Sequence, residues 1–282
     1  MCNENIPNLI IIGNIAYDII DFSKVDSNRE NIVDLGGACI FSSVPASLFH
    51  RVGIVGKIGN DFDLSKLYGY NIDLSGIKQI NMPTTRFYTV WNSIDGQERT
   101  VYGDVKPEME IGIRDIPKNF LNAKHFHLTT ANPTKQLEII QFLRENTNAT
   151  ISVDTIDDFV YQPNCRKVFD NVDIAFIDKE YTPLLDCKSK VKIIKYGKKG
   201  CLYYSNDKEF PIYSQIIENV VDKTGAGDCL NGVFLNLIVN GESEEKALKI
   251  AVDTATESIK NKGIMHLRIP DKYDWRNEDN LK

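Results

Sequence analysis

The sequence predicts an α/β fold, with a mostly parallel central sheet that carries helices on both faces and a small antiparallel β lid beside it. The main observation is an alternation of short apolar runs with amphipathic segments, which is typical of βαβ units. The apolar runs lie at residues 9–12, 151–154, 174–177 and 192–196. The second observation is that residues 15–35 and 84–103 break this rhythm, because aromatic and β-branched residues interleave there with polar ones.

Three helices are predicted from apolar residues spaced three and four positions apart. The first spans residues 134–146, and the last spans residues 244–261, with Ser243 as its N-cap and Gly263 beyond its end. The middle helix follows Asp228. Its apolar face consists of Leu230, Val233, Phe234, Leu237 and Ile238.

The segments 15–35 and 84–103 are predicted to be insertions that form the lid over a single domain spanning residues 1–282. Asp95 and Gly96 separate two strand-like runs, and this dipeptide is a strong signal for a hairpin turn. An ordinary edge hairpin is the alternative for the second segment. The aromatic residues of the hairpin are also consistent with a homodimer that forms through the lid.

Composition excludes several classes of protein. The 282 residues carry a net charge of −6, which argues against binding to DNA or RNA. No apolar run approaches the length of a membrane-spanning helix, so no membrane partner is expected. The six cysteines lack C-x-x-C spacing, which indicates reduced thiols and a cytoplasmic location. His125 and His127 alternate along a strand-like run, and the sequence favours core positions for both over a ligand-binding role.

The segment 222–228, Asp-Lys-Thr-Gly-Ala-Gly-Asp, is the strongest candidate for chemistry. Its glycines precede an amphipathic helix, so the free amides of Gly225, Ala226 and Gly227 are expected to bind an anion. A carboxylate is poorly placed beside an anion unless it has a task. Asp228 is therefore predicted to act as a base beside a phosphoryl group.

One other interpretation of the segment 222–228 remains open, and two known nucleotide-binding motifs are excluded. A plain tight turn, with Asp228 complementing the helix dipole, is the alternative. A dinucleotide fingerprint would need glycine at the position of Leu230, and no P-loop sequence occurs anywhere in the chain.

Five segments in order, covering about residues 8–268, resemble the ribokinase-like (PfkB) family of carbohydrate and nucleoside kinases. They are Gly13-Asn14 with Asp18, Gly36-Gly37, residues 52–61, residues 195–200 and residues 222–228. The last resembles the family's D-T-x-G-A-G-D motif, which is the most specific of the set.

The resemblance implies transfer of the γ-phosphoryl group of ATP, with Mg²⁺, to an alcohol group of a small acceptor. Asp228 would be the general base, and the amides of residues 225–227 would stabilise negative charge. The expected acceptor-binding residues are Asn14, Asp18, Gly36 and Gly37. The expected nucleotide-binding residues are Lys195, Gly197, Gly200, Thr224, Thr254 and Ser258.

The chain departs from the family's pattern at several positions. Phe41 stands near the place where sugar kinases of the family carry an asparagine, which would give the acceptor site an apolar floor. The family's N-x-x-E motif, which organises magnesium, is replaced by Asp178-Lys179-Glu180-Tyr181. Glu180 is the candidate magnesium ligand there. The segment after Asp154 lacks a usual asparagine, and Lys223 replaces a common threonine.

The departures affect the acceptor and the metal more than the fold. A sugar or cyclic polyol is the first choice of acceptor, because an apolar floor and an aromatic lid suit a ring with one hydrophobic face. A nucleoside is the alternative within the same family. A non-catalytic protein that binds a nucleotide or sugar is the alternative of another class, although such a protein has no need of Asp228.

Overall fold

The computed structural model describes residues 6–28, 30–93 and 98–267. The strands of the large sheet are β1 (Leu9–Ile12), β4 (Val52–Ile58), β5 (Ile72–Gln79), β8 (His125–Leu128), β9 (Thr150–Val153), β10 (Ile174–Asp178), β11 (Val191–Lys195), β12 (Cys201–Ser205) and β13 (Glu209–Ile212). The strands of the small sheet are β2 (Ala16–Asp21), β3 (Ile32–Gly36), β6 (Thr85–Ser93) and β7 (Glu98–Asp104). The helices are α1 (Ala38–Ala46), α2 (Pro133–Asn146), α3 (Asp157–Val160), α4 (Cys165–Asp170), α5 (Ala226–Val239) and α6 (Glu244–Ser258).

The large sheet confirms the predicted fold class. Its strand order is β13-β12-β11-β10-β9-β8-β1-β4-β5, and every pair from β11 to β5 is parallel. Only β12 and β13 run antiparallel, at one edge. The buried strands are short and almost wholly apolar, as expected for a parallel sheet that is covered on both faces.

The small sheet differs from the prediction in the pairing of its central strands. Its order is β3-β2-β6-β7, and its outer pairs are antiparallel, but β2 and β6 run parallel. The reason is topological. β2 follows β1 and β6 follows β5, and both preceding strands point the same way in the large sheet, so both insertions leave it in one direction. The predicted turn at Asp95-Gly96 and the charged tail beyond Pro270 lie outside the described residues.

Helices cover both faces of the large sheet. One apolar cluster packs α1, α5 and α6 against it, and Phe176 meets Phe234 edge-on in that layer. The second cluster lies under α2 and α4. The helix predicted over residues 244–261 ends at Ser258, and Ser243 is its N-cap without a side-chain capping hydrogen bond. Among the described residues, no helix is long and apolar enough to cross a membrane.

Close approach of α1 and α5 fixes the position of the α5 N-terminus. A Cβ on Gly232 would overlap the backbone carbonyl of Ser42, so the two helices nearly touch there. The buried Asn236 side chain donates to the carbonyls of Ala46 (2.7 Å) and His50 (2.8 Å) beyond the crossing. The end of α1 is therefore bonded directly to the middle of α5.

His125 and His127 occupy core positions in β8, as the sequence favoured. Their exposed fractions are 1% and 0%, and both rings reach the Ser152 hydroxyl at 2.8 Å. His127 Nε2 has no hydrogen-bond partner among the described residues. Burial lowers the pKa of each imidazole to about 3, and mutual repulsion adds to the effect at His125.

These histidines predict an acid-dependent change in stability. The folded pKa of His127, about 3, is below the ordinary value of 6.5, so the unfolded chain takes up a proton first as pH falls through this window. Wild type therefore loses stability as pH falls, and the His127→Asn variant lacks this acid-dependent loss. The difference in unfolding free energy by which the variant is less stable than wild type should shrink by roughly 1.4 kcal/mol per pH unit below about pH 6.5. Urea unfolding at several pH values measures this difference, in which the other titrating groups cancel. A deficit that is constant with pH would contradict the pKa of His127.

Candidate active site

The N-terminus of α5 forms a loop that only glycine can complete. Gly225 is the N-cap and has a φ of +73°, and a Cβ there would overlap the ring of Phe41. The Asp222 side chain accepts from the Thr224 amide at 3.0 Å and holds the loop. In the described part of the chain, the amides of Gly227 and Asp228 have no backbone acceptor. These free donors at the start of a long helix suit a phosphate group.

Asp228 lies in the first turn of α5, where burial raises its pKa to about 8. This pKa already includes a contribution in the same direction from the carboxylate of Asp154 and an opposing one from Lys195. Asp18 and Asp178 contribute smaller repulsions. A carboxyl group with a pKa near neutrality exchanges protons readily under physiological conditions. The surroundings of Asp228 therefore suit a general base.

Three polar side chains at the carboxyl ends of β9, β10 and β11 meet beside Asp228. Lys195 Nζ lies 3.1 and 2.8 Å from the two carboxylate oxygens of Asp154, and 3.4 Å from Asp178 Oδ2. Asn231 in α5 donates to Asp154 at 2.6 Å. The sequence analysis missed this network. Polar residues that follow three neighbouring parallel strands were the signal that could have found it, because such strand ends share one edge of the sheet.

The charges in this network stabilise each other. Burial lowers the pKa of the Lys195 ammonium, but the carboxylates of Asp154 and Asp178 outweigh that effect and hold it above its ordinary value. Burial raises the pKa of Asp178, and Lys195 partly offsets the rise. Lys195 was predicted to contact the nucleotide. Its ammonium group instead faces two carboxylates, and its side chain is 9% exposed.

Asp18 and the diglycine meet where β2 and β3 join the core. Asp18 lies against Gly36, where a Cβ would overlap the carboxylate, and accepts a hydrogen bond from the Gly37 amide. The pKa of Asp18 is raised to about 7, mainly by burial and against the effect of that amide, and Asp222 and Asp34 contribute to the rise. Its Oδ1 is buried without a partner among the described residues. This oxygen is free to accept from a hydroxyl group.

Asn14 links the diglycine to a cavity beside the site. Gly37 has a φ of +84°, and a Cβ there would overlap the Asn14 carbonyl oxygen, which also accepts from the Cys39 amide. On its other side Asn14 borders a cavity of about 150 Å³ at the carboxyl ends of β1 and β8. The apolar part of its lining consists of Ile12, Val105, Ile111, Leu128, Ala131, Ile139 and Phe159.

Phe41 does not form the exposed floor that the sequence suggested. Its ring is 4% exposed and lies against Gly225. It therefore supports the anion-binding loop from below and leaves little surface for an acceptor.

The predicted nucleotide-binding residues fall into two groups. Gly197 and Gly200 have φ values of +57° and +99° and form the turn after β11, which is open on the side of Gly197. Thr254 and Ser258 are 0% and 3% exposed, and their hydroxyls bond to carbonyls of α6 itself. The second pair is not presented to a ligand, because that face of α6 packs into the core.

Glu180 does not join a metal-binding cluster. Its side chain is 65% exposed and lies 3.6 Å from Lys179. Across the described ranges, no group of three or more His, Cys, Asp or Glu residues could hold a metal ion. Among the described residues, Glu180 therefore has no cluster of further ligands around it.

The comparisons with known proteins agree with this geometry. The family described as pfkB family carbohydrate kinase matches residues 179–272, which include the anion-binding loop. The chain is 26% identical to the cytidine kinase of Thermococcus kodakarensis, over 91% of this chain and 97% of that protein.

Solved structures share the fold at low sequence identity. The nucleoside kinase of Methanocaldococcus jannaschii, described as an archaeal member of the ribokinase family, gives a TM-score of 0.78 at 21% identity and covers 93% of this chain and 95% of its own. The ribokinase of Arabidopsis thaliana, solved with ribose and ATP, gives 0.75 at 18% identity and covers 92% and 95%. Over residues 179–272 the chain is therefore similar to the pfkB family of carbohydrate kinases, and these similarities support an ATP-dependent kinase.

Proposed function

We propose that this kinase phosphorylates a ribose hydroxyl of a nucleoside, with Asp228 as general base. The observation that carries the proposal is the arrangement of Asp228 beside the free amides of the α5 N-terminus, with a pKa near neutrality. When bound, ATP supplies the γ-phosphoryl group. The chain's own part is to hold the acceptor, remove its proton and stabilise negative charge.

Each step has a residue suited to it. Asp18 has an unpartnered buried oxygen that can accept from an acceptor hydroxyl, and Asn14 lies next to it across the diglycine. Asp228 takes the proton of the reacting hydroxyl. The amides of Gly225, Gly227 and Asp228 stabilise negative charge on the transferred group. The Ala226 amide, also predicted for this role, already donates to the Lys223 carbonyl at 3.3 Å. Phosphoryl transfer depends on positioning and electrostatic stabilisation, so no covalent intermediate with the chain is required.

The cavity beside Asn14 favours a nucleoside over the sugar or cyclic polyol that the sequence put first. Its apolar walls suit the faces of a heterocyclic base, and a free sugar would leave it unfilled. The cytidine kinase of Thermococcus kodakarensis, which the chain matches over 97% of its length, supports the same choice. A sugar acceptor is the second candidate, because Asp18 and the diglycine suit any vicinal diol.

The test is an ADP-release assay with ATP, magnesium and a panel of nucleosides, free sugars and cyclitols. The kcat/KM of a nucleoside should exceed that of free ribose by roughly 10²-fold, because contacts remote from the reacting group strengthen transition-state binding. A matched variant, Ala131→Leu, fills the cavity and should weaken nucleosides while leaving ribose unchanged. Ribose or a cyclitol used as well as every nucleoside would overturn the choice of acceptor.

The homodimer through the small sheet stays a prediction. The described part of this sheet exposes Val33 (55%) and Tyr102 (50%), and Tyr102 stacks on Tyr88. Sedimentation of the wild type against Val33→Lys would test the contact.

A further inference from the structure

The network of Lys195, Asp154, Asp178 and Asn231 lies directly beneath the first turn of α5. Lys195 Nζ makes its contacts to three carboxylate oxygens, and with 9% exposure the side chain has little access to solvent or ligand. A Cβ on Gly227 would sit 3.3 Å from Nζ. The ammonium group therefore supports the anion-binding loop from the protein side.

The same network holds α5 through a second contact. Asn231 stands three residues after Asp228, so both side chains project from the same side of the helix. Asn231 Nδ2 donates to Asp154 at 2.6 Å, and Asp154 is also fixed by the Thr155 amide at 2.8 Å. A displacement of Asp154 would therefore move the turn of α5 that carries Asp228.

We propose that Lys195 is a positioning residue for phosphoryl transfer, which acts through Asp154 and the first turn of α5 to hold Asp228 in place and does not bind the nucleotide itself. The proposal rests on the role of Asp228 in the proposed function. It replaces the nucleotide contact that the sequence suggested for Lys195.

Electrostatics supports this role. The charged groups that act on Asp228 are Asp154 after β9, Asp178 in β10, Lys195 in β11 and Asp18 in β2. Cys39 in α1 also faces it, but burial raises the pKa of that thiol, which therefore stays uncharged. Lys195 is the only cation among these groups. Removing it leaves the repulsion of three carboxylates unopposed and raises the pKa of Asp228.

The kinetic test compares wild type with Lys195→Met and Lys195→Arg. Lys195→Met should lower kcat by about 10- to 100-fold with little change in the KM for ATP, because a misplaced base slows chemistry more than binding. The rising limb of its pH–kcat profile should move to higher pH by about one unit. Lys195→Arg should restore part of both. A large rise in the KM for ATP with an unmoved pH profile would overturn the proposal and make Lys195 a nucleotide ligand.

The kinetic test fails if Lys195→Met does not fold, since this variant leaves Asp154 and Asp178 unpaired. It also fails if wild type has no activity on any acceptor. A stability measurement covers both cases. In the double variant Lys195→Met/Asp154→Asn, one charge of each sign is removed. The gain in Tm caused by Asp228→Asn is then measured against pH in this background and in wild type. In wild type the gain should level off near pH 8, the pKa of Asp228. Asp154 itself raises the pKa of Asp228, so its loss works against the loss of Lys195.

The effect of Lys195 alone on the pKa of Asp228 is therefore measured in the single variant Lys195→Met. The double variant Lys195→Met/Asp154→Asn serves as the control for folding. In Lys195→Met the gain should level off at a pH above that of wild type, and an unchanged pH would overturn the proposal. If Lys195→Met does not fold, Asn231→Leu replaces it, and this variant should lower kcat without changing the KM for ATP. Unchanged kcat in Asn231→Leu would also overturn the proposal. Wild type without activity on any acceptor refutes the proposed function, while the Tm curves still decide whether Lys195 lowers the pKa of Asp228.

Discussion

The variant Asp228→Asn is expected to lose at least about 100-fold in kcat, because it removes the group that accepts the proton of the reacting hydroxyl. Asparagine keeps the shape of the side chain and leaves the amides of Gly225 to Gly227 untouched. The affinity for ATP should therefore stay near that of wild type. Steady-state kinetics together with calorimetric titration of the nucleotide measures both quantities.

The stability of Asp228→Asn provides the control. The folded pKa of Asp228, about 8, is above the ordinary value of 3.8, so ionisation destabilises the folded wild type as pH rises through this window. The variant lacks the carboxyl group, and at alkaline pH it should unfold at a higher temperature than wild type. Loss of activity without loss of stability identifies a catalytic role. Near-normal kcat would remove Asp228 from the mechanism.

The variant Gly232→Ala is expected to lose stability, although it adds only a single methyl group. Alanine normally stabilises a helix by about 1 kcal/mol relative to glycine. Here the new Cβ would overlap the Ser42 carbonyl of α1, and neither a backbone carbonyl nor a Cβ can rotate away. The expected outcome is a net loss of about 1–3 kcal/mol, measured by urea unfolding.

Gly112→Ala is the matched control, since a Cβ there meets its nearest atom, in the Asp115 side chain, at 4.0 Å. Its stability should stay close to wild type. Because α1 also carries Phe41 beneath Gly225, Gly232→Ala should lower kcat as well as stability. A Gly232→Ala protein as stable as wild type would mean that α1 and α5 can separate without penalty.

The large sheet was predictable because its strands are runs of apolar residues that must be buried on both faces. Leu9–Ile12 is 0–3% exposed throughout, as expected for a run of four apolar residues in a buried strand of the central sheet. The parallel pairing of β2 with β6 was not predictable from either segment, since it depends on the direction in which two distant insertions leave the core. Local sequence carries no information on that direction.

The candidate site was predictable where backbone geometry dictates the residue, as at Gly225 and Gly37 with their positive φ values. The contacts of the site were not predictable where a side chain could pair with several different groups. A lysine before a glycine turn is usually exposed, and only the fold brings Lys195 to Asp154, 41 positions earlier in the chain. In the same way, the sequence put Phe41 near the site without telling whether its ring faces an acceptor or Gly225.

The two carboxylates of the proposed mechanism belong to different sheets. Asp18 is part of β2 and pairs in register with Asp34 of β3 and Phe87 of β6, whereas Asp228 is fixed to the large sheet through α5. The distance between acceptor and base is thus set by how one sheet rests on the other. Substitutions in β7, which is separated from the strand of Asp18 by β6, should therefore be able to change turnover without touching a ligand. Selection on the turnover rate would then act on strands β6 and β7 as much as on residues 222–228, which include Asp228.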